Sequence, residues 1–552
     1  MKLKILSAAA VILCCISCVD ADYQLGGNLI PTDQTYTIYS EESPLTEIQM
    51  SVPDSLSGYS QNRITLGAIR DEHYGLTTRG CALTLVPMYD TLKFGTNPKV
   101  KRFHFAVGKD TLDVIYDHNK NMLQNVKVYP LTKPLSTYTS RDLNTKIEHS
   151  DELISKSMPV YNGSDSLSFD FKQSFAEKFL DIKQEDLESM SKYLKKFPGI
   201  YLETDEPTGL GGRINCFDLQ LGYDSSYYTL TGNFAALTIE TKYDNWDKRR
   251  DTTFFFYYSP ADFFKIDSLL TNSSTGNFPQ YCFNTTSQQT SSKAGPATDK
   301  VLIEGGGGLK PRIPAKSLKA VAEQIISSKG ADPKNVVINK ATIVMPFEFP
   351  EDYKEMDHFP YYLSPTCRII TDTSATYIGL TDSSSSDENQ GDIDRSNLQF
   401  APDITYHLQE LLKIKDTDTE KMKRIENGSY DIWFLIMANE VTAKGTENTS
   451  GNDLSEYYQY LAYQSYYNSM YGGYGGYGGY GYGGYGGYGY GNGYSNYYTY
   501  MMMAQMYSNT GTQDTTQQML DKDRYYFGQL NGPGAEGRVP TLKLTFSVPN
   551  QE

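Results

Sequence analysis

The sequence lacks the short motifs on which most catalytic and metal sites are built. Its six histidines stand apart, with no H-x-H or H-E-x-x-H pair, so no zinc site is encoded locally. A G-x-S-x-G elbow is also absent, which leaves an α/β-hydrolase nucleophile without support. We therefore predict no cofactor and expect a non-enzymatic protein. A hydrolase whose paired carboxylates lie on different strands is the alternative.

Basic residues are scarce as well. The chain has 50 Lys and Arg against 66 Asp and Glu, and its formal net charge is −16 at pH 7. Lysine and arginine supply most of the attraction to phosphate backbones and to anionic lipid surfaces. The charge balance predicts that nucleic acid is not a partner.

Closely spaced cysteines are missing from the main part of the chain. Beyond residue 18 the cysteines are Cys81, Cys216, Cys282 and Cys367, which are too far apart for a C-x-x-C redox or metal motif. In an exported protein they can pair as disulfides. Each can also be a small buried hydrophobic residue, and the sequence leaves both alternatives open.

The first residues have the plan of an export signal. Lys2 and Lys4 precede an apolar run at residues 5–16, which is too short to span a bilayer. Ser17 stands directly before Cys18, and this resembles a bacterial lipobox. The resemblance implies a signal peptide at residues 1–17, an acylated Cys18 and a tether at residues 18–35, so that a lipid anchor holds the protein on the membrane.

Acidic residues follow the predicted anchor directly. Asp20 and Asp22 resemble the export signal that carries lipoproteins of Bacteroidota to the cell surface. The resemblance implies an outer-membrane lipoprotein that faces the cell exterior. A lipoprotein that faces the periplasm is the alternative.

The mature chain has the pattern of a mainly β protein. Short alternating or apolar runs are broken by Gly, Pro, Asn and Asp. The clearest strand is the last, where Leu542, Leu544, Phe546 and Val548 alternate with polar residues, including Ser547, that are expected to face water. We expect a mainly β fold with a few inserted helices, in two β-sandwich or jelly-roll-like units.

Helices are predicted where apolar residues recur at helical spacing. These segments are residues 184–197, 315–330 and 403–413, the last with Asp403 as its N-cap. The stretch GGGG at residues 305–308 lacks the G-K-[ST] ending of a phosphate-binding loop, and it predicts a flexible strand-to-helix turn.

A polar stretch divides the chain into two predicted units. Residues 284–300, NTTSQQTSSKAGPATDK, have the composition of a linker. We therefore place an N-terminal β-sandwich domain at residues 36–298 and a C-terminal one at residues 299–552.

Several stretches of the chain carry a family resemblance. They are LGAIRDEHYGLTTRGCALTLVP with VKVYPLTKPL, then FPGIYLETDEP, INKATIVMPFEFP and FPYYLSPTCRIITD, and a final FGQ…PTLKLTF. Together they resemble an uncharacterised family of Bacteroidota outer-membrane and surface lipoproteins, over nearly the whole mature chain except residues 442–522. Each stretch reads as a strand with its turn. The resemblance therefore implies a fold and a location, and it carries no catalytic residue.

One acidic loop has a spacing of oxygen ligands that calcium can use. SSSSDENQGDID places Asp387, Asn389, Asp392 and Asp394 around Gly391. The order departs from the EF-hand, because the glycine comes one place early and no glutamate closes the loop. A solvated acidic loop is the alternative.

A three-residue pattern recurs along the chain, in which Asp is followed by Ser or Thr and then by Leu or Thr. It resembles the O-glycosylation sites of exported Bacteroidota proteins, and the resemblance implies glycan attachment where the hydroxyl is exposed. The hydroxyl-bearing residues are Ser55, Thr91, Thr111, Ser166, Thr252, Ser268 and Thr515.

A run rich in tyrosine and glycine interrupts the last predicted unit at about residues 445–521. No Lys or Arg occurs from Gly445 through Asp521, so the arginine that lets Gly-rich segments bind RNA is missing. We expect a disordered loop whose tyrosines form a contact arm; a tolerated expansion of low complexity is the alternative. The tyrosines are Tyr471, Tyr474, Tyr477, Tyr480, Tyr482, Tyr485, Tyr488, Tyr490 and Tyr494.

The anchor, the missing catalytic motifs and the resemblance together predict a function. We expect a scaffold or accessory subunit of an outer-membrane machine that assembles or exports proteins, with an outer-membrane protein as its partner. Glycan binding is the alternative, because jelly-roll sandwiches and exposed tyrosines commonly hold sugars. Analogy at the level of the fold does not choose between them.

Overall fold

The computed structural model describes residues 35–550, apart from residues 55, 61, 90, 111–121, 136–141, 225–228, 260–275, 279, 371–374, 381, 383–388 and 443–514. The structure is 46% strand and 17% helix, and its strands form several antiparallel sheets. The predicted mainly β fold with a few inserted helices is confirmed.

The strands as far as residue 288 are β1 (Tyr36–Pro44), β2 (Gln49–Ser51), β3 (Tyr59–Ser60), β4 (Arg63–Asp71), β5 (Gly75–Leu83), β6 (Leu85–Pro87), β7 (Thr96–Gly108), β8 (Gln124–Pro130), β9 (Val160–Tyr161), β10 (Ser166–Asp170), β11 (Ile200–Thr204), β12 (Gly211–Asp218), β13 (Leu221–Asp224), β14 (Thr229–Gly232), β15 (Ala235–Lys242), β16 (Arg250–Tyr258), β17 (Gly276–Phe278) and β18 (Cys282–Gln288). The later strands are β19 (Gly295–Pro296), β20 (Lys300–Glu304), β21 (Lys310–Ile313), β22 (Val337–Pro346), β23 (Tyr362–Ile370), β24 (Ala375–Gly379), β25 (Ile393–Asp394), β26 (Gln399–Phe400), β27 (Ile432–Thr442), β28 (Thr515–Leu520), β29 (Phe527–Asn531) and β30 (Thr541–Pro549).

The described α-helices are short and lie between strands. They are α1 (Gln173–Lys178), α2 (Met190–Lys196), α3 (Ala315–Ser328), α4 (Thr405–Lys413) and α5 (Thr419–Glu426). Single 3₁₀ turns occur at Phe179–Asp181, Gln184–Glu188, Gln289–Lys293 and Tyr353–His358.

The first core is a sandwich of two antiparallel sheets. One sheet has the order β10-β7-β15-β16-β6, and the other has the order β12-β4-β5-β11-β8-β9, with β18 beside β5. Alternate residues of β7, namely Phe103, Phe105 and Val107, are buried because successive side chains of a strand point to opposite faces. Phe105 stacks on Phe169 of β10 with ring centres 4.8 Å apart, so aromatic side chains fill much of this core.

The second core lies between two further sheets and is covered by helices. One sheet has the order β1-β30-β22-β26-β25, and the other has the order β19-β2-β21-β27-β23-β24, with β28 beside β27. Leu542, Leu544 and Phe546 of β30 are buried as predicted. Ser547, which we expected to face water, is buried too, and its hydroxyl is satisfied by donating to the Oδ1 of Asn339 at 2.6 Å.

In sequence, the residues of the first core lie between two parts of the second core. β1 pairs with β30 along its whole length, and β2 pairs with β19 and β21. Leu45 and Ile48, near these two strands, pack in the second core. The predicted first unit at residues 36–298 therefore begins too early, because its opening strands belong to the second core.

The predicted linker at residues 284–300 is largely ordered structure. It contains most of β18, a 3₁₀ turn and β19. Asn284 shows why polarity misled the prediction, since its Nδ2 donates to the Arg63 carbonyl and its Oδ1 accepts the Thr65 N–H, both at 3.0 Å. Hydrogen bonds of this kind allow a polar strand to be buried.

The predicted helices are present, with two corrections. In α3 the residues at helical spacing are buried as expected; they are Leu318, Val321, Ala322, Ile325 and Ile326. The predicted helix at residues 184–197 is broken at Ser189, whose extended backbone separates a 3₁₀ turn from α2. Ser189 then caps α2 by accepting the Lys192 N–H at 3.3 Å.

Asp403 is not the N-cap of α4. Its carboxylate accepts the Thr342 hydroxyl at 3.2 Å and pairs with Lys340 at 3.4 Å. The cap comes instead from Asp382, which accepts the N–H groups of Tyr406 at 2.6 Å and His407 at 3.1 Å. A cap that is distant in sequence satisfies the same orphan donors of the helix, and the local pattern does not reveal it.

Candidate functional site

The hairpin of β27 and β28 carries the tyrosine- and glycine-rich insertion. The two strands are antiparallel partners, and their last pair is Thr442 with Thr515. Beyond Met437, where the pairing with β23 ends, β27 pairs only with β28 among the described strands. The insertion thus leaves and re-enters the fold at the tip of a hairpin that extends past the sheet.

The boundaries of the insertion differ from those predicted. Residues 515–520 form β28, so the predicted insertion at about residues 445–521 ends too late. The nine tyrosines of the predicted contact arm, Tyr471 to Tyr494, lie outside the described residues. Cys18, Asp20 and Asp22 of the predicted anchor and export signal also lie outside them.

The segment that follows β28, residues 521–526, runs between the two cores. Asp521 folds it into a turn by accepting the N–H groups of Asp523 and Arg524, each at 3.0 Å. Tyr525 then packs against Ile69 and Ile214 of the first sandwich. This segment therefore joins the base of the hairpin to both cores.

Charged side chains, four of them buried and three partly exposed, surround this segment, and we call them the charged seam. It consists of Arg63, Arg79, Asp110, Glu304, Lys310, Lys522 and Asp523. The residues come from both cores and from widely separated parts of the chain. Sequence reasoning missed them because no local motif connects them.

Arg63 of β4 forms two ion pairs in the seam. Its Nε lies 3.2 Å from Asp110 Oδ2, and its Nη1 lies 3.1 Å from Asp523 Oδ2. The side chains of Arg63 and Asp523 are only 7% and 12% exposed. Burial raises the pKa of Asp523, and the positive charges of Arg63 and Lys522 oppose that shift.

The backbone of residues 521–526 is bound from the first core as well. Arg79 of β5 donates from Nη1 to the carbonyl of Lys522 at 3.2 Å and from Nη2 to the carbonyl of Arg524 at 3.1 Å. In return, the Nζ of Lys522 donates to the carbonyl of Tyr59 at 2.9 Å. Hydrogen bonds therefore run in both directions across the seam.

The GGGG stretch forms a buried turn around a lysine ammonium. It joins β20 to β21, so the predicted strand-to-helix turn is wrong, and its four glycines are buried. Lys310 Nζ donates to the carbonyls of Gly306 at 3.1 Å and Gly308 at 3.0 Å, and also to that of Glu304. Phosphate-binding loops present N–H groups to an anion. This turn instead presents carbonyl oxygens to a cation.

Burial shifts both charged groups at this turn. It lowers the pKa of Lys310 to about 7, against the effect of the neighbouring Glu304 carboxylate. It raises the pKa of Glu304, although the Thr290 hydroxyl and Lys310 stabilise the charged form. A buried network of ion pairs and hydrogen bonds holds its members in fixed positions. The seam is therefore suited to fixing one core against the other.

A buried cysteine and histidine lie near each other in the second core. Cys367 Sγ is 3.8 Å from His407 Nδ1, and His407 Nε2 lies 3.1 Å from the Tyr430 carbonyl oxygen. Burial raises the pKa of the Cys367 thiol and lowers the pKa of His407 to about 4. A cysteine nucleophile needs a thiolate, and burial disfavours that form of Cys367.

The cysteines outside the first 34 residues are all free and buried; they are Cys81, Cys216, Cys282 and Cys367. The sequence left open whether these cysteines form disulfides or are small buried hydrophobic residues, and the structure shows the second. Cys282 also donates from Sγ to the Arg63 carbonyl at 3.3 Å.

Two described side chains of the calcium candidate accept backbone N–H groups. Asn389 Oδ1 accepts the Gly391 N–H at 2.8 Å, and Asp394 accepts the N–H groups of Ser396 and Asn397. Asp387 lies outside the described residues. Within the described part of the chain, no group of three or more His, Cys, Asp or Glu side chains is arranged to hold a metal ion.

The predicted O-glycosylation residues fall into three groups. Thr91 and Ser166 are exposed, as attachment requires. The hydroxyl oxygen of Thr252 is buried on β16, so the required exposure is not met there. Ser55, Thr111 and Ser268 lie outside the described residues, and Thr515 begins β28.

A cleft of about 440 Å³ lies beside the start of α3. Asp431 at its edge accepts the Ala315 N–H and the Arg312 guanidinium, each at 2.9 Å. The carboxylate thereby caps α3, whose own N-cap residue, Pro314, makes no side-chain cap. We interpret this cleft as a by-product of the contacts by which Asp431 caps α3, and we assign it no ligand.

One connection of the second core exposes several aromatic rings. We call residues 348–361, between β22 and β23, the aromatic loop. Phe349, Tyr353 and Tyr361 on it are 59%, 68% and 53% exposed. Single exposed apolar side chains are common on protein surfaces, whereas interaction sites are distinguished by contiguous apolar patches.

No family model, curated protein or solved structure matches the chain. In the parts of the chain that the structure describes, none of the helices has the length and apolar character needed to cross a bilayer.

Proposed function

We propose that this protein is a non-enzymatic surface lipoprotein that serves as a scaffold or accessory subunit of an outer-membrane protein assembly or export machine. The observation that carries the proposal is the pairing of Thr442 with Thr515, which places the insertion at the tip of a protruding hairpin. A loop presented by a rigid scaffold is a common way to build a binding site.

The attachment of the hairpin supports the same function. β28 continues directly into residues 521–526, which Arg63 and Arg79 bind from the first core. A partner held by the insertion would therefore be connected to both cores. Such a rigid attachment suits a subunit that positions one protein relative to another.

The lipid anchor and the cellular location are also part of the proposal. Cys18 would carry the lipid, and Asp20 and Asp22 would direct the protein to the outer face of the outer membrane. The resemblance to Bacteroidota surface lipoproteins supports this address. The family would supply the fold, and the partner would be an outer-membrane protein.

The first experiment is co-purification from gently solubilised outer membranes, followed by mass spectrometry. The full chain is compared with a variant in which Asn-Gly replaces residues 443–514, a sequence suited to a two-residue hairpin turn. A matched control keeps the length of the insertion but changes each Tyr of residues 471–494 to Ser. We expect a stoichiometric outer-membrane protein with the full chain and its loss in both variants.

Two other outcomes are informative. Loss of the partner in the deletion but not in the serine control would place the contact outside the tyrosines of residues 471–494. A full chain that is recovered alone would contradict the proposal.

Glycan binding is the second candidate function. The observation that favours it is the exposure of Phe349, Tyr353 and Tyr361, because aromatic faces stack on sugar rings. Retention of the protein on a purified surface polysaccharide, reduced by Tyr353→Ala, would support this function. The absence of retention on every polysaccharide tested would count against it.

A further inference from the structure

The aromatic loop combines its exposed rings with a strongly acidic surface. Among residues 348–361, Lys354 is the one lysine, and arginine is absent. The exposed carboxylates of the loop are Glu348, Glu351, Asp352, Glu355 and Asp357. The loop therefore exposes Phe349 and Tyr353 together with an excess of carboxylates, while Arg395 already packs on Tyr361 and pairs with Asp357.

The shape of the loop is set by contacts with the second core. Met356 and Phe359 are each only 5% exposed, and His358 stacks on Phe527 with ring centres 4.5 Å apart. Asp352 begins the 3₁₀ turn by accepting the Lys354 N–H at 3.0 Å. A surface that is already ordered loses less conformational entropy when a partner binds.

The loop is also near the base of the hairpin. Tyr361 immediately precedes β23, whose first residue, Tyr362, pairs with Met437 at the point where the hairpin leaves the sheet. The ring of Tyr361 lies 6.5 Å from that of Tyr526, which ends the segment between the cores. A partner held by the insertion would therefore be within reach of this surface.

We propose that the aromatic loop docks a basic segment of the protein partner, with Lys or Arg side chains over its rings and against its carboxylates. This inference rests on the proposed function and adds the chemistry of the partner. Arg395 already shows the arrangement within the chain, since its guanidinium lies 5.8 Å from the Tyr361 ring centre and 4.0 Å from Asp357. Cations bind aromatic faces and carboxylates in this way.

The negative charge of the aromatic loop disfavours two other protein ligands, the chain's own insertion and a second copy of the chain. The chain's own insertion, residues 443–514, contains Lys444 as its one basic residue, and its acidic residues are Glu447, Asp453, Glu456 and Asp514. A second copy of the chain also carries a net charge of −16. Like charges that face each other across an interface oppose binding, so a basic partner fits the loop better than either.

The test uses a short fluorescent peptide that alternates Arg and Leu, with a second peptide in which Glu replaces Arg. Binding to the full chain is measured by fluorescence anisotropy. The loop variants are Phe349→Ala/Tyr353→Ala and Glu351→Gln/Glu355→Gln. The matched control, Asp151→Asn/Glu152→Gln, neutralises two exposed carboxylates on the first core.

We expect each loop variant to weaken binding of the Arg peptide about tenfold, as loss of a central aromatic or charged contact does. The control should change binding by less than about twofold, because its two exposed charges belong to the first core and lie outside the loop. The Glu peptide should not bind. Unchanged midpoints of thermal unfolding would show that the variants are folded.

Several results would overturn the inference. An equal loss of peptide binding in the control would mean that the peptide binds the acidic chain in general. Loss of polysaccharide retention in the aromatic variant, with peptide binding unchanged, would assign the loop to glycan. Recovery of the membrane partner with both loop variants, but not with the deletion of residues 443–514, would overturn the inference and leave the proposed function standing.

Discussion

The guanidinium of Arg63 holds the carboxylate of Asp523 at 3.1 Å, and this ion pair joins the first core to the segment that leaves the hairpin. Both side chains are largely buried, and Asp110 shares the same arginine at 3.2 Å. Removing one partner of such a pair leaves an uncompensated charge away from water.

Arg63→Ala is expected to lower the free energy of unfolding by about 3–5 kcal/mol, because Asp523 and Asp110 then lose their common cation. Denaturant titration followed by tryptophan fluorescence and circular dichroism measures the change. Lys133→Ala is the control, since its pair with Glu148 is 70% and 63% exposed. The control should cost less than about 1 kcal/mol, and an equally small cost for Arg63→Ala would contradict the buried pair.

Lys310 should make stability depend on pH above neutrality. Its folded pKa is about 7, whereas an unfolded lysine titrates near about 10.4. Between these values the unfolded chain holds a proton that the folded chain has released. The free energy of unfolding therefore rises as the pH rises from about 7 toward 10, by at most about 1.4 kcal/mol per pH unit.

Lys310→Met removes this titration, so the free energy of unfolding should depend less on pH between about 7 and 10. Denaturant titrations at several pH values, with wild type and variant compared at each, cancel the contribution of the tyrosines. Lys300→Met, at an exposed lysine of the adjacent β20, should keep the wild-type slope. Parallel curves for wild type and Lys310→Met would show that Lys310 stays protonated in the folded state.

His407 should reduce stability in acid. Its folded pKa is about 4, below the ordinary value of about 6.5, so the unfolded chain binds a proton first as the pH falls. The contribution of this group is complete above about pH 6.5 and is lost as the pH falls toward 4, a change of about 3 kcal/mol. His407→Gln should lack this component, whereas His73→Gln, at an exposed histidine, should retain it. Identical acid profiles for wild type and His407→Gln would disprove the prediction.

Deleting residues 443–514 should leave the fold intact. Thr442 and Thr515 are already paired, so an Asn-Gly turn can close the hairpin without moving either strand. Shortening the loop should stabilise the protein by at most about 3 kcal/mol, because each halving of loop length saves about 0.6 kcal/mol of closure entropy. Circular dichroism and thermal unfolding measure this. An unfolded deletion variant would mean that the insertion contributes to the core.

The buried cysteines should not react in the folded protein. Burial raises the pKa of the Cys216 and Cys367 thiols, and reaction with Ellman's reagent requires an accessible thiolate. In a version that begins after Cys18, we expect no reaction until denaturant is added and then release of all the thiols without a reductant. Incomplete reaction after unfolding would reveal a disulfide.

The sequence was most informative where the pattern is local. The alternation of Leu542, Leu544 and Phe546 predicted the buried face of β30, and helical spacing predicted α3. Both patterns depend on neighbours a few residues away, so the physical cause of the structure lies within the segment itself.

The charged seam could not be predicted in this way. Arg63 and Asp523 are brought together by the packing of two cores, and neither residue has a neighbour in sequence that indicates the other. The same reason explains the wrong N-cap of α4, since Asp382 reaches the helix from another segment. Polar residues such as Asn284 were assigned to a linker because their hydrogen-bond partners are distant in sequence.

The pairing of β1 with β30 has a consequence for how the protein matures. Translation delivers a chain from its N-terminus, and complete domains generally fold as units. The strands of the first core are all present once Gln288 has emerged, whereas residues 36–44 lack their partner until residues 541–549 arrive. Until residues 541–549 are present, β1 has an open edge that other chains could pair with. The second core can therefore close only when residues 541–549 are available to pair with β1.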